Sequence, residues 1–436
     1  MNSMVRYVGL DVHKREVEVC IIDSSGQVVL RTRGACLRPA LEEFIRTHLQ
    51  PTDHVALEAT TNCWCVAKVF KPHVARVVVS NPLATKAIAT AKVKTDKVDA
   101  LVLAQLLRCD YLPEVWQPDD ETQQLRRLTG RRSGLVAQAT LLKNRLHSVL
   151  AQRLIAPEKE RLFGPAGRAW LREMPLDEEG RLLIDSDLRL LEAVERELSV
   201  LDELLARKAY ARQQVKLLMT LPGVDVAEAQ AVLAALGDVG RFQDPDRAAS
   251  YLGLTPWTRQ SGDHCYHGPI SKAGNSQARW MLVQAAHHVA RHPGPLGNFF
   301  RKLSKKKNYN VAVVATARKL VVIAWHMLKE NQPYRYAVPR NTEDKLRQLR
   351  VKATGTRRKT GPKKGTFAKA QLAPGVKSRT IKPLAQVYQE EGLPELAAPP
   401  AGEARLMNDP QVAQYAARLK DRQVIARRKS ASVPTV

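Results

Sequence analysis

The hydrophobic period of this chain changes abruptly near residue 120, and any fold must accommodate both regimes. Before that point, RYVGLDV, EVEVCIID and QVVLRTR are short β-branched runs separated by turn signals such as Ser24-Ser25-Gly26. A helical pattern from Pro39 to Leu49 follows. Next come HVALEA as a strand, CWCVAKVF as a helix, ARVVVS as a strand, and a helix from Asp96 to Arg108. Three strands, a helix and further β/α alternation predict an α/β domain on a mixed sheet over residues 5–115.

From Gln123 onward the period becomes seven. Leu128, Leu135, Leu142 and Val149 form one row, with Leu125 and Leu146 beside it. After an interruption at Pro157, Gly164 and Pro165, a second row runs through Leu191, Leu198 and Leu205. Two such seams predict a helical connector over 120–214, either an antiparallel hairpin or a coiled-coil dimerisation arm. Residues 215–335 are expected to form a mainly α domain. Its Leu221-Pro222-Gly223-Val224 turn before AEAQAVLAALGDV suggests a helix–hairpin–helix element, with the Gly223 turn offering N–H groups to a DNA phosphate. Residues 340–436 hold 21 Lys+Arg against 8 Asp+Glu and read as a flexible basic tail. Within it Arg357, Arg358, Lys359, Lys363 and Lys364 are candidate nucleic-acid contacts.

Composition sets the partner class. Across 436 residues, 69 Lys+Arg against 43 Asp+Glu give a net charge of +26, while 44% hydrophobic residues are enough for packed cores and exclude a wholly disordered basic protein. That excess calls for a polyanion, most simply nucleic acid, because basic groups gain by releasing counterions from phosphates. The six cysteines show no paired CxxC spacing and read as reduced thiols. The Asp263-His264-Cys265-Tyr266-His267 cluster reads as a polar loop rather than a metal site. MNSMVRYVGLDVHK lacks a signal-type apolar run, and the apolar stretch Val311–Leu328 carries Arg318 and Lys319 at its centre. Both point to a cytoplasmic protein with no membrane partner.

The chemistry begins with carboxylates. Asp11 follows the strand Tyr7-Val8-Gly9-Leu10, and Glu58 ends Val55-Ala56-Leu57. Asp96 and Asp99, three apart, share one helix face. Acids brought together at one sheet edge repel unless a cation neutralises them. Hard oxygen donors with open positions suit Mg²⁺ or Mn²⁺, which could clamp the attacking and leaving oxygens of a phosphodiester.

A second candidate lies in Gly268-Pro269-Ile270-Ser271-Lys272-Ala273-Gly274-Asn275, ahead of a helix expected over Ser276–Arg291. Taken alone, Ser271 reads as a helix cap. With Lys272 and Arg279 nearby to hold a phosphate, its hydroxyl could instead attack that phosphate and form a phosphoserine link. Arg126, Arg127, Arg131, Arg132, Lys143 and Arg145 on the first connector helix are further candidate phosphate contacts, with a solvated helix face as the alternative.

Taken together, YVGLDVHK, LEAT, Asn81-Pro82, KVKTDKVDALVLAQLL, LPGV, RFQDPDRAASYLGLTP and GPISKAGNSQARWMLVQAA resemble the transposases of the insertion sequence one-ten family, which includes the Piv-type DNA invertases. The resemblance implies an RNase H-like (RuvC-like) catalytic domain, a coiled-coil connector and a C-terminal transposase domain. It puts the acidic roles on Asp11, Glu58, Asp96 and Asp99 and the nucleophile on Ser271. It further implies a bacterial, nucleoid-associated recombinase that is guided on donor and target double-stranded DNA by a structured bridge RNA. The assembly is expected to be a tetramer of two dimers, one protomer's carboxylates acting with another's serine. Two other readings are a metal-only junction nuclease, in which Ser271 is only a cap, and a non-catalytic binding protein on the same scaffold.

Overall fold

A computed structural model describes residues 5–88, 96–157, 162–356 and 376–428. The chain divides into two compact units, residues 1–119 and 120–436.

The first unit is a five-stranded mixed sheet. Strands β1 (Tyr7–Val12), β2 (Glu16–Ile22) and β3 (Val28–Ala35) form an antiparallel meander, followed by helix α1 (Arg38–His48). Strand β4 (His54–Glu58), helix α2 (Cys63–Phe70), strand β5 (Arg76–Ser80), and helices α3 (Pro82–Ile88) and α4 (Asp96–Arg108) complete it. The order is β3-β2-β1-β4-β5, with β4 parallel to β1 and β5 parallel to β4. Each strand in the middle of the sheet is buried on both faces. Leu10, Leu57 and Val79 pack toward α1 and α2 with Phe70, whereas Ala56 and Val78 pack against Leu103 and Leu107 of α4. This double coverage explains the almost unbroken apolar runs that betray these strands in the sequence.

The second unit is mostly helical. Helix α5 (Asp120–Gln152) runs out, α6 (Pro165–Glu173) caps the far end, and α7 (Glu178–Ala211) returns. The pairing is antiparallel throughout: Arg153 meets Asp177 at 2.7 Å at one end, Arg132 meets Asp202 at 2.7 Å further along, and Lys208 reaches Gln124 at 2.9 Å near the other. The seven-residue rows therefore face one another within one chain. Leu142, Leu146 and Val149 pack with Ile184, Leu188 and Leu191 around Leu171 of α6 in a core of their own.

The near end of this hairpin joins a larger core. Helices α8 (Gln213–Met219) and α9 (Val226–Leu236), a short 3-10 turn, α10 (Pro245–Tyr251), the ribbon β6 (Pro256–Ser261) and β7 (His264–Ile270), α11 (Ser276–Val289), α12 (Pro295–Ser304) and α13 (Tyr309–Glu330) follow. Helix α13 is long and apolar enough to cross a membrane by composition. Yet half of that stretch is buried in the unit, through Ala317, Leu320, Val321, Ala324 and Trp325, as a core helix would be. The segment around Asp263–His267, expected as a polar loop, holds the β6–β7 ribbon. Both its faces are open to solvent, so it lacks the apolar alternation by which strands announce themselves.

The basic tail departs most from expectation. Within its described residues, α14 (Pro339–Thr354), α15 (Leu384–Glu390) and α16 (Pro410–Arg418) pack in the second unit, and strands β8 (Val376–Ile381) and β9 (Gln423–Arg428) pair antiparallel with each other. Tyr388 is 1% exposed, and its hydroxyl donates to the Tyr334 carbonyl at 2.6 Å. The Tyr415 hydroxyl donates to the carbonyls of Tyr336 and Ala337. A buried Arg350–Glu391 pair and Lys382, held between Glu343 and Glu390, neutralise part of the charge. The described parts of the tail thus pack through apolar anchors between the lysines, while most of its Gly- and Lys-rich stretch lies outside the described residues. Arg357, Arg358, Lys359, Lys363 and Lys364 lie outside the described residues.

Candidate active site

The acidic cluster is assembled by a missing side chain. A Cβ on Gly9 would overlap the Ala100 carbonyl and the Ala104 nitrogen, so α4 crosses β1 in direct backbone contact. Strand side chains alternate, which puts Asp11 on the same face as Gly9, toward α4. Leu10 pairs with Leu57 in parallel register, so Asp11 and Glu58 occupy the next positions on neighbouring strands. Asp96 and Asp99 occupy the first turn of α4. The anionic groups there also complement the helix N-terminus.

Asp11, Asp96 and His13 converge closely enough to ligate one ion. His13 Nε2 stands 3.1 Å from Asp11 Oδ2 and 3.5 Å from Asp96 Oδ2. Its carbonyl accepts from Asn62, which fixes the turn between β1 and β2. Burial pushes the Asp11 carboxyl above its usual range; His13 opposes this, while Asp96 and Asp99 push it further up. Three carboxylates thus share one field, as their sequence order predicts. The sequence reading assigned no role to His13 or Gly9. A glycine two residues before a strand-end acid was the available signal for a close helix crossing.

Hard oxygen donors, partly exposed and mutually repelling, fit Mg²⁺ or Mn²⁺. The His13 imidazole already lies against two of them.

Ser271 lies in the loop ahead of α11, as expected, and does not cap that helix. Helix α11 is capped by Asn275, whose side chain accepts from the Ala278 N–H at 2.9 Å. Ser271 stands four residues earlier, exposed at the end of β7. Its N–H donates to the Thr255 carbonyl at 2.9 Å and that of Lys272 to Gly253 at 3.2 Å. Lys272 itself is left-handed at φ +55°, a conformation that costs a non-glycine residue about 1 kcal/mol or more. Gly253 and Gly274 also have positive φ, and a Cβ on either would strike backbone of the facing segment. The loop is therefore a locked double crossing rather than a loose connector.

Several basic candidates serve the fold. The Arg279 guanidinium donates to the carbonyls of Leu252 (3.0 Å) and Ala273 (2.7 Å), clamping the Ser271 loop. Arg126 donates to Ala234 and Ala235 at the end of α9. Arg132 pairs with Asp202, Lys143 with Glu195, and Arg145 with the buried Asp187. Arg127 and Arg131, one helical turn apart, remain exposed on α5. Gly223, at φ +75°, is pressed against Ala285 of α11, and the carbonyls of Leu221 and Val224 accept from Lys345, so this turn also packs into the core.

Residues 8–155 match the DEDD transposase family of IS110, and residues 215–301 match the transposases described as the IS116/IS110/IS902 family. The pilin gene-inverting protein of Moraxella bovis is 27% identical over 339 residues, covering 75% of this chain and 97% of its own. The transposase of insertion sequence element IS1111A from Coxiella burnetii is 24% identical over 354 residues, covering 76% and 92%. The 43.6 kDa protein of insertion element IS110 from Streptomyces coelicolor is 27% identical over 302 residues, covering 57% and 74%. With an acidic cluster and an exposed serine loop in the two matched regions, the chain belongs to the IS116/IS110/IS902 family of transposases, enzymes of DNA recombination.

Proposed function

We propose that this transposase cleaves and rejoins DNA through a phosphoserine link at Ser271, with Asp11, Glu58, Asp96 and Asp99 of an RNase H-like domain holding Mg²⁺. The observation that carries the reading is the placement of Ser271: exposed, outside the cap of α11, and beside a strained Lys272 in a loop clamped by Arg279. Strain retained next to a hydroxyl is the pattern expected of a positioned nucleophile. In the step, the Ser271 Oγ–P bond forms as a P–O bond to deoxyribose breaks. The hydroxyl proton leaves Oγ and the departing sugar oxygen takes one up. Attack by a different sugar hydroxyl then reverses the step, so the phosphodiester is conserved and strands can be exchanged. Bound Mg²⁺ would supply charge neutralisation at the phosphoryl oxygens. Asp11 and Asp96 would hold it, with His13 within reach as a third ligand.

Guidance by a structured bridge RNA, and a tetramer built of two dimers, rest on the family resemblance together with the +26 charge. A second reading, DNA inversion, is favoured by the similarity to the pilin gene-inverting protein over nearly its full length. It uses the same chemistry on a different arrangement of sites.

Ser271→Ala tests the chemistry. The variant should lose the covalent protein–DNA species seen on a denaturing gel and lose strand cleavage with it. Cleavage without an adduct would instead establish a metal-only nuclease. Sequencing the nucleic acid that copurifies with the protein tests the RNA: one discrete structured transcript from DNA flanking the coding sequence is expected, and a random RNA population would count against guidance.

A further inference from the structure

From His264 to Lys329, 66 consecutive residues contain no aspartate or glutamate, while Lys and Arg number 11. This stretch begins just ahead of Ser271 and includes α11, α12 and most of α13. Acids from elsewhere in the chain reach two of these cations, Asp409 at Lys302 and Asp246 at Arg318, which leaves Lys272 and Lys305–Lys307 as the cations to offer a polyanion.

The structure shows what that surface displays. Along the solvent face of α11 stand Trp280, which is 57% exposed, and His287, seven residues on and so on the same side. His287 is stacked on Tyr309, with ring centroids 5.6 Å apart and planes at 28°, and its Nδ1 is 3.1 Å from the Tyr309 hydroxyl. Buried Phe300 meets Tyr309 edge-on from beneath and fixes that ring. Immediately before the start of α13 lie Lys305, Lys306 and Lys307, all exposed. Among the described residues no carboxylate is within ion-pair distance of these three or of Lys272. Cations at both ends and two aromatic platforms between them thus follow one helix. Its length from Ser276 to His287 is about 17 Å.

We infer that this α11 face is a track for the DNA strand that continues from the phosphate at Ser271, holding its phosphates at the lysines and stacking unpaired bases on Trp280 and the His287–Tyr309 pair. The inference rests on the serine reading for its position, and on charge and exposed aromatic surface for its ligand. Duplex DNA hides its base faces, so exposed ring platforms suit a strand that has left its complement. A recombinase must unpair bases beside the break before joining them to a new partner. RNA offers the same bases and phosphates, but the track is continuous with the loop proposed to hold a DNA phosphate.

The experiment uses full-length Ser271→Ala protein, so that no chemistry intervenes, and a single-stranded DNA oligonucleotide of mixed sequence carrying 5-iodouracil. Irradiation followed by mass spectrometry should place the crosslink in a peptide containing Trp280 or Tyr309. Trp280→Ala should weaken binding of that strand by about 5- to 150-fold, leave the matching duplex nearly unchanged, and be largely rescued by Trp280→Phe. Replacing Lys305, Lys306 and Lys307 together by Ala should lower the salt slope for the strand by about 2. Crosslinks confined to other peptides, unchanged affinity and slope, or effects seen with an RNA oligonucleotide alone would overturn the track. Trp280 is exposed, so an unchanged thermal melt is expected. Should Trp280→Ala fail to fold, the crosslink in the Ser271→Ala protein decides alone. The separate gel assay of the wild-type adduct shows whether the serine reading fails while the track stands.

Discussion

At Gly9 the absence of a side chain is what lets α4 bring Asp96 and Asp99 over the end of β1. Gly9→Ala should push that helix off the sheet. Overpacking of this kind costs about 1–3 kcal/mol, read as a lower melting temperature, and it should weaken Mn²⁺ binding measured by electron paramagnetic resonance. Unchanged Mn²⁺ affinity would mean that the helix crossing does not set the site. Asp11 behaves oppositely. Its carboxyl is held above the usual range by burial and by two neighbouring acids, so Asp11→Asn should leave the metal-free protein as stable or more stable while abolishing cleavage. A marked fall in melting temperature would show that Asp11 serves the fold. The placement of Asp11 and Glu58 on adjacent strands and of Asp96 and Asp99 on one helix turn was legible in the sequence from strand patterning and helix spacing. His13 was not, since nothing in a sequence tells which way a turn histidine points.

Among the elements, those of the first unit were almost wholly legible. Buried β-branched runs and Gly/Ser turns leave little choice, and a five-stranded mixed sheet follows. The two leucine seams gave both helices of the α5–α7 hairpin, but which basic residues were already occupied depended on partners about 40–110 positions away. Arg126 and Arg127 illustrate the point: one caps α9 and its neighbour faces solvent. Arg126→Ala should therefore lower stability by about 1–3 kcal/mol, since the buried carbonyls of Ala234 and Ala235 lose a charged donor. Arg127→Ala with Arg131→Ala should leave the melt unchanged and, if that face grips duplex DNA, reduce the salt slope of binding by about 2. An unchanged slope would identify a merely solvated face. The Ser271 loop is marked in the sequence by its glycines, but the β6–β7 ribbon beside it is not, because it is unburied and its order comes from backbone hydrogen bonds that no hydrophobic period records.

At the scale of the molecule, the described segments of the tail are packed despite its net charge. Tyr388, Leu384 and Leu393 anchor residues 376–428 to the core that contains α13, so Tyr388→Ala should cost about 3–5 kcal/mol of stability rather than merely loosen an arm. His292 lies between this segment and the core, its ring against Tyr334 and Tyr415 and its Nδ1 accepting from the Gly294 N–H. Burial, reinforced by Arg301 and Lys345, lowers its pKa to about 4 from the ordinary 6.5. The unfolded chain therefore takes up this proton first, and stability should fall as the pH drops from 6.5 toward 4, by at most about 3 kcal/mol. His292→Gln should flatten that part of the pH profile of the melting temperature, and an unaltered profile would assign it to other groups.

The account turns on whether DNA becomes attached to Ser271. The wild-type protein should be incubated with Mg²⁺, its copurifying RNA and duplex DNA carrying the flanks of the coding sequence, then denatured, digested with nuclease and protease, and analysed by mass spectrometry for a nucleotide-bearing peptide. The predicted result is a single modified peptide, with the nucleotide phosphate on the Ser271 oxygen. A nucleotide on any other residue, or cleaved DNA with no modified peptide, would contradict it.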